Sequence, residues 1–431
     1  MTDALSERFS TEPYWTESLP PLPRTSRELP NNVDVIVVGG GYAGLSTALT
    51  LARANKSVIV FEAGRVGEGA SSRSAGSLGN LPKAKLAQIT ARYGADVARE
   101  VYREARLARE YVERIIVDEN IDCNLQTRGR VVAAHSERAY AKLEASLPTF
   151  RQTMGEVELL NSARQSAEIG SDAFHGVLVV KSSATLQPAL FHRGLAHAAL
   201  GAGVFLAEQR RVTDISRTNY GFEVVAGGHR YTSSEVIVAT NAETGRDTSI
   251  MRTLRRRLTI VPAFALVTEE MPADQMRAVL PHLRSFSDTL QILHYMAPAG
   301  DKRLVVSGRA GRSDRDLRTK ARRLFGFFQT RFPALRDARV SHCWSGTFAL
   351  TDDWIPHIGV EEGVHYMLGC CGVGVPMSTY LGHRIGLKIL GEETQASAYD
   401  RPLPSIPYWP ANNIFLPAAV RALALRDRLF R

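Results

Sequence analysis

Residues 33–45 read VDVIVVGGGYAGL. Five of the first six are apolar; then come three glycines, two other residues and a fourth glycine. A strand this apolar reads as buried on both faces, as parallel strands are. Glycine loses more backbone freedom on ordering than any other residue, so three in succession are costly unless something must approach them. Gly39, Gly41 and Gly44 fit G-x-G-x-x-G, and the Ala/Leu-rich run over 44–54 reads as a helix. A second apolar strand over 57–61 is followed by Glu62, 21 residues after Gly41. In a βαβ unit over 33–80 each part has a role. Gly39 permits a tight turn, and Gly41 admits a pyrophosphate to backbone N–H groups at the positive end of the helix, beside Tyr42 and Ala43. Gly44 lets helix and strand pack closely, and Glu62 accepts from a ribose hydroxyl pair. What comes close is the pyrophosphate of a dinucleotide.

Residues 62–80 read EAGRVGEGASSRSAGSLGN. Where a nicotinamide dehydrogenase starts a plain helix, this run offers small and hydroxyl residues, a donor-rich backbone suited to extended contact along a cofactor. Far downstream, residues 366–390 read YMLGCCGVGVPMSTYLGHRIGLKIL. Gly369, Gly372 and Gly374 precede a second helix start, whose amides and positive potential suit the anionic locus of a reduced flavin. Two glycine-rich helix starts, one near each end, are what a cofactor spanning the fold needs. No second strand–G-x-G-x-x-G–helix unit is present, so electrons enter the flavin from the substrate rather than from NAD(P)H.

Composition bounds the rest. The chain has 431 residues, 44% apolar and 23% charged, ordinary for a globular protein of two lobes. The net charge of +9 is spread over helical stretches, and the cluster RTLRRR at 252–257 reads as a solvated face. Without a nucleic-acid signature, no nucleic-acid partner is expected. Cys123, Cys343, Cys370 and Cys371 have neither disulfide-framework nor metal spacing. The reading is a cytoplasmic protein without a metal or a membrane span. Residues 1–32 read as a surface arm. Helices are expected over 94–120 and 315–332, and strands over 130–134, 177–180, 204–207, 212–215, 222–225, 236–239, 260–268, 290–295 and 304–307. The run FLPAAVRALALRDRLFR at 415–431 reads as a basic amphipathic helix.

Four segments together resemble the D-amino-acid-oxidase-like (DAO) superfamily of FAD-dependent oxidoreductases, within it the γ-glutamylputrescine oxidase and sarcosine/glycine oxidase branch. They are the arm with YW followed by VDVIVVGGGYAGLSTALTLA, then FEAGRVGEGASSRSAG, VIVATNAET at 236–244, and WSGTFALTDDWIPHIG with GVHYMLGCCGVGVPMSTYLG. The resemblance runs from about residue 14 to 395. It implies an α/β fold: a Rossmann-like, glutathione-reductase-type FAD-binding domain interleaved with an α+β substrate domain on a mostly antiparallel sheet. The expected division is 33–80, 175–250 and 340–395 for FAD, 81–174 and 251–339 for substrate, and 396–431 as a tail. FAD contacts implied beyond Gly39, Gly41, Gly44 and Glu62 are Ala63, Gly69, Ala70, Ser71, Ser74, Ala75 and Gly76. Val212 is implied at the adenine, Asn241 and Ala242 near the ribityl–phosphate region, and Gly369, Gly372, Val373, Gly374 and Val375 at the pyrimidine end of the flavin.

The resemblance further implies oxidation of a C–N bond by hydride transfer to flavin N5. The substrate is an amine or amino acid, O2 or another acceptor takes the electrons, and a non-catalytic flavoprotein or RNA-modifying subunit stands as the third alternative. His294 and Tyr295 fall where relatives place a pocket aromatic on the substrate sheet, and Trp344 beside the flavin; packing is the competing account for each. An arginine that often follows that aromatic is Met296 here. The family's R-N-G-G is Arg73-Ser74-Ala75-Gly76, and its G-H-G is Gly372-Val373-Gly374. Pro376 stands about where monomeric sarcosine oxidases carry lysine. Their flavin-linking cysteine falls nearer Gly346 than Cys343, so FAD is expected to be non-covalent.

Overall fold

The computed structural model describes residues 4–23, 28–245, 247–300, 302–308 and 316–406. Strand Asn32–Val38 alternates its buried residues between two cores: Val35 and Val37 face one, Ile36 and Val38 the other. It pairs in parallel with Val58–Phe61 on one side and His229–Val238 on the other. Phe205–Ala207 extends the parallel set, and Val364–Leu368 joins beside His229–Val238. Val212–Thr218 and Gly221–Ala226 add an antiparallel meander, and His357–Glu361 completes eight strands.

One face of this sheet carries helices Tyr42–Arg53, Ala95–Asp118, Pro188–Gly201 and Gly374–Leu390, which share one apolar core. Tyr42–Arg53 and Gly374–Leu390 cross closely, because a Cβ at Gly382 would lie 2.3 Å from the Ala43 carbonyl oxygen. Thr47 Oγ1 donates to the Gly382 carbonyl at 2.7 Å across the same crossing.

A second, nine-stranded sheet runs in the order Leu5–Ser10, Val340–Leu350, Thr259–Thr268, Leu304–Gly308, Tyr295–Pro298, Ser285–Asp288, Arg130–Ala133, Gly176–Val180, Val157–Asn161. Its outer face is sealed by helices Ala273–Val279 and Leu317–Gln329, with Phe286, Phe325, Phe328 and Phe332 between. Its inner face, with Ala265, Val267, Tyr295, Ala297 and Trp344, meets Trp15, Ala75 and Ala189. Two indoles fix the junction: Trp344 Nε1 donates to the Arg73 carbonyl and Trp15 Nε1 to that of Ser74, both at 2.9 Å.

The sheets redraw several expectations. Residues 5–10 of the arm form an edge strand parallel to Val340–Leu350 rather than lying loose on the surface. Strands Gly176–Val180 and Val340–Leu350 belong to the nine-stranded sheet, not to the Rossmann-like one. Helix Ala95–Asp118 packs on the Rossmann-like side through Val101, Ala105, Val112 and Ile115. The apolar run 290–294 is a turn, and the strand begins only at Tyr295. Asp288 Oδ1 accepts from the Leu290 and His294 amides, each at 3.2 Å, and holds the chain in that turn. The helix expected over 415–431 lies outside the described residues. Among the described residues no helix is long and apolar enough to cross a membrane.

Candidate functional site

A cleft of about 510 Å³ opens at the carboxyl ends of the parallel strands. Its floor is the turn after Val38. Gly39 has φ +108°, and a Cβ there would sit 2.9 Å from the Ala239 carbonyl oxygen. At Gly44 a Cβ would lie 1.9 Å from the Gly39 carbonyl oxygen, so only glycine lets the helix start this close to the strand. Gly41 differs: its backbone is extended, and a Cβ would meet only Ser71 Oγ, at 3.1 Å. The space beside Gly41 is therefore open to a ligand.

Polar groups converge on that space. Helix Tyr42–Arg53 points its first amides into it, and Ser71 Oγ accepts from the Tyr42 amide at 3.1 Å. This leaves the Ser71 hydroxyl proton for an anionic ligand oxygen. Glu62 is pinned by two amides, Oε2 by Gly40 N–H at 2.9 Å and Oε1 by Gly64 N–H at 3.0 Å. Each carboxylate oxygen keeps a lone pair for a hydroxyl. Val212, Arg211 and Asp247 line one end of the cleft; Ser345, Gly346, Thr347, Met367 and Ser378 line another part.

His192 supports the glycine turn from below. It is 1% exposed, and its Nε2 lies 2.7 Å from the Gly40 carbonyl oxygen. Burial pushes its pKa down to about 4, so the ring is neutral at ordinary pH. A carbonyl only accepts, so Nε2 carries the proton. Asn241, with φ +45°, accepts at Oδ1 from Gly369 N–H at 3.0 Å and Cys370 N–H at 3.2 Å. It thereby ties the end of one parallel strand to the second glycine turn.

The cleft brings together Gly39, Gly41, Tyr42, Ala43, Glu62, Ala63, Gly69, Ala70, Ser71, Val212, Asn241 and Ala242. Gly44 stands behind it as a packing residue. Ser74, Ala75 and Gly76 do not line it: they bridge the lobes, with the Gly76 carbonyl accepting from Leu186 N–H at 2.9 Å. Gly369, Gly372, Val373, Gly374 and Val375 also lie off its walls, which Met367 and Ser378 reach instead. A Cβ at Gly372 would nonetheless meet only Phe348, at 3.8 Å.

The three aromatic candidates separate. Tyr295 and Trp344 lie on the inner face of the nine-stranded sheet. His294 does not: its Nδ1 is 2.7 Å from Asp288 Oδ2, and its ring stacks on Phe327 at 3.6 Å. Cys343 is buried in the core on the outer face, and burial pushes its thiol up to about 12. Sequence reasoning missed Arg73, His192, Arg211, Asp247 and Ser378 in the cleft walls. Arg211 adjoins Val212 and was within reach of the same reading; His192 sits in a plain apolar helix that gives no signal.

This donor set fits FAD: open amides and a hydroxyl for a pyrophosphate, and a pinned carboxylate for a ribose. The comparisons agree. The model of the DAO family, FAD dependent oxidoreductase, matches residues 34–386. Gamma-glutamylputrescine oxidoreductase of Escherichia coli is 30% identical over 404 residues, covering 92% of this chain and 93% of its own. Glycine oxidase of Geobacillus kaustophilus is 24% identical over 371 residues, covering 84% and 94%. The crystal structure of that organism's glycine oxidase superposes with TM-score 0.74 at 22% identity, covering 88% of this chain and 100% of the other. L-proline dehydrogenase from P. horikoshii superposes at 0.69 with 17% identity, covering 86% and 97%. The chain belongs to the DAO family of FAD-dependent oxidoreductases, with amine and amino-acid oxidoreductases as its relatives.

Proposed function

We propose that the protein oxidises the C–N bond of a secondary amine or a γ-glutamylputrescine-like substrate, with O2 as electron acceptor. Bound FAD supplies the two-electron acceptor for the hydride equivalent leaving the substrate carbon. An imine, its hydrolysis to a carbonyl compound, and H2O2 are the proposed products. One observation carries the reading. Strand Val340–Leu350 gives Ser345, Gly346 and Thr347 to the cofactor cleft and Trp344 to the inner face of the nine-stranded sheet. Cofactor cleft and sheet face are thus adjacent along one strand.

The chain's own contribution is holding and excluding. The Gly39–Gly41 turn, Ser71 and Glu62 fix the cofactor. The apolar face of Ala265, Val267, Ala297 and Trp344 would exclude water from a substrate held between it and the cofactor. Desolvation there favours the neutral, electron-donating amine over the ammonium form. FAD is proposed to be non-covalent, since Cys343 faces away and Gly346 stands at the cleft.

The test is an anaerobic absorbance titration with secondary amines, polyamine conjugates and amino acids. Bleaching of the flavin band by one class, and rapid recovery in air with peroxide formed, is the expected result. A flavin that no amine bleaches overturns it. A second reading is a dehydrogenase passing electrons to a quinone or protein. Pro376, where sarcosine oxidases resembling this chain carry lysine, favours it. Bleaching by amine with slow recovery in air would establish it.

A further inference from the structure

Each amide of the first glycine turn has a definite destination. Gly39 N–H donates to the Phe61 carbonyl at 2.8 Å, Gly40 N–H to Glu62 Oε2 at 2.9 Å, and Tyr42 N–H to Ser71 Oγ at 3.1 Å. Gly41 N–H, on the cleft wall, has no partner among the described residues. Its direction is set from the other end of its own peptide. Across a trans peptide the C=O and N–H point opposite ways. The Gly40 carbonyl is turned inward to the buried His192, whose Nε2 stands 2.7 Å away. The Gly41 N–H is thereby turned outward, into the open space of the cleft.

Three glycines in succession make that orientation a choice. Turning the Gly40–Gly41 peptide over would carry Gly41 from φ −81° to positive φ, which glycine adopts as readily as negative. The turned peptide would aim its carbonyl, not its N–H, at an anionic ligand. Nothing in the glycine motif forbids this; the hydrogen bond from His192 opposes it. The ring of His192 is itself held. It meets the Tyr42 ring in a T at 5.8 Å, and Tyr42 OH donates at 2.9 Å to the carbonyl of Pro188, in the helix that carries His192. Gly67, at φ +90°, stands beside the other ring nitrogen, where a Cβ would lie 3.3 Å from Nδ1.

We infer that His192 is a positioning residue for FAD: it holds the Gly40–Gly41 peptide so that the Gly41 amide is presented to the pyrophosphate. This rests on FAD binding and not on which bond the enzyme oxidises. A residue 152 positions away in sequence from Gly40 thus decides which way one peptide of the cofactor turn faces.

The test compares His192→Gln, His192→Asn and His192→Leu. Glutamine places an amide N–H about where Nε2–H stands, asparagine is too short to do so, and leucine has no donor. Flavin-stripped protein is titrated with FAD by fluorescence quenching, and phosphorus NMR of the loaded protein reads the pyrophosphate signals. His192→Leu and His192→Asn are expected to bind FAD about tenfold more weakly than wild type, with displaced pyrophosphate signals. His192→Gln is expected to stay within about twofold of wild type and to keep its signals. A purely structural role would lower the melting temperature and leave the FAD affinity of the folded protein unchanged, and that result overturns the inference. Equal FAD affinities in His192→Asn and His192→Gln overturn it as well, and this comparison decides the matter if His192→Leu does not fold.

Discussion

Two glycines of one motif should fail in different ways when a methyl group is added. At Gly39 the backbone has φ +108° and a Cβ would lie 2.9 Å from the Ala239 carbonyl oxygen. Backbone strain of about 1–3 kcal/mol and overpacking of about 1–3 kcal/mol fall on the folded protein with or without cofactor. At Gly41 the backbone is extended, with φ −81° and ψ −173°, and the single neighbour is Ser71 Oγ at 3.1 Å. There an unfolded-state gain of about 0.4–1 kcal/mol offsets slight crowding, leaving flavin-free stability almost unchanged. The methyl instead fills the approach to the helix amides. Losing one hydrogen bond to a charged ligand costs about 1.5–3 kcal/mol, or roughly 10–150-fold in FAD affinity. The assay is thermal unfolding of flavin-stripped protein beside FAD titration by fluorescence quenching. Gly39→Ala should melt early in both states; Gly41→Ala should melt normally and bind FAD weakly. A folded Gly41→Ala protein with wild-type FAD affinity would refute the placement of the pyrophosphate.

Three further outcomes are expected. Asn241→Ala strips the acceptor from the Gly369 and Cys370 amides, costing about 2–4 kcal/mol, so a lowered melting temperature and weaker flavin retention should follow, with Asn241→Asp milder; a wild-type melting curve contradicts this. His192 has a folded pKa of about 4 against an ordinary 6.5, so the unfolded chain takes up the proton first and stability falls as pH drops from 6.5 towards 4. That loss reaches about 3 kcal/mol at the bottom of the window. Urea unfolding across it should show a shallower slope in His192→Gln, and an unchanged slope would exclude His192 as a source. Finally, denaturation and ultrafiltration should release all flavin into the filtrate, since Cys343 is turned from the cleft; yellow colour retained with the protein would show a covalent bond.

The Rossmann-like half was legible because its signals are local. Val35 to Val38, the glycines and Glu62 lie within one βαβ unit, and close packing demands those residues at those places. The second sheet was less legible because its pairings are distant: Leu5 opposite Val340 leaves no periodic trace in either segment. The run 290–294 misled for another reason. Its apolar residues suit a strand, but one carboxylate, Asp288, captures two amides and makes a turn. In the site, Glu62 and Ser71 announced themselves by position in a motif. His192 did not, since it reaches Gly40 from a helix 152 residues further on.

The edge strand Leu5–Ser10 carries a consequence for how the chain reaches its shape. It is made early, and its pairing partner Val340–Leu350 emerges only more than three hundred residues of synthesis later. Closing so long a loop is entropically slow, and the partner strand pairs on its other side with Thr259–Thr268. Leu5 and Phe9, buried in the finished protein, therefore spend most of translation uncovered. A strand made early thus finds its place only once a strand made late is there to receive it.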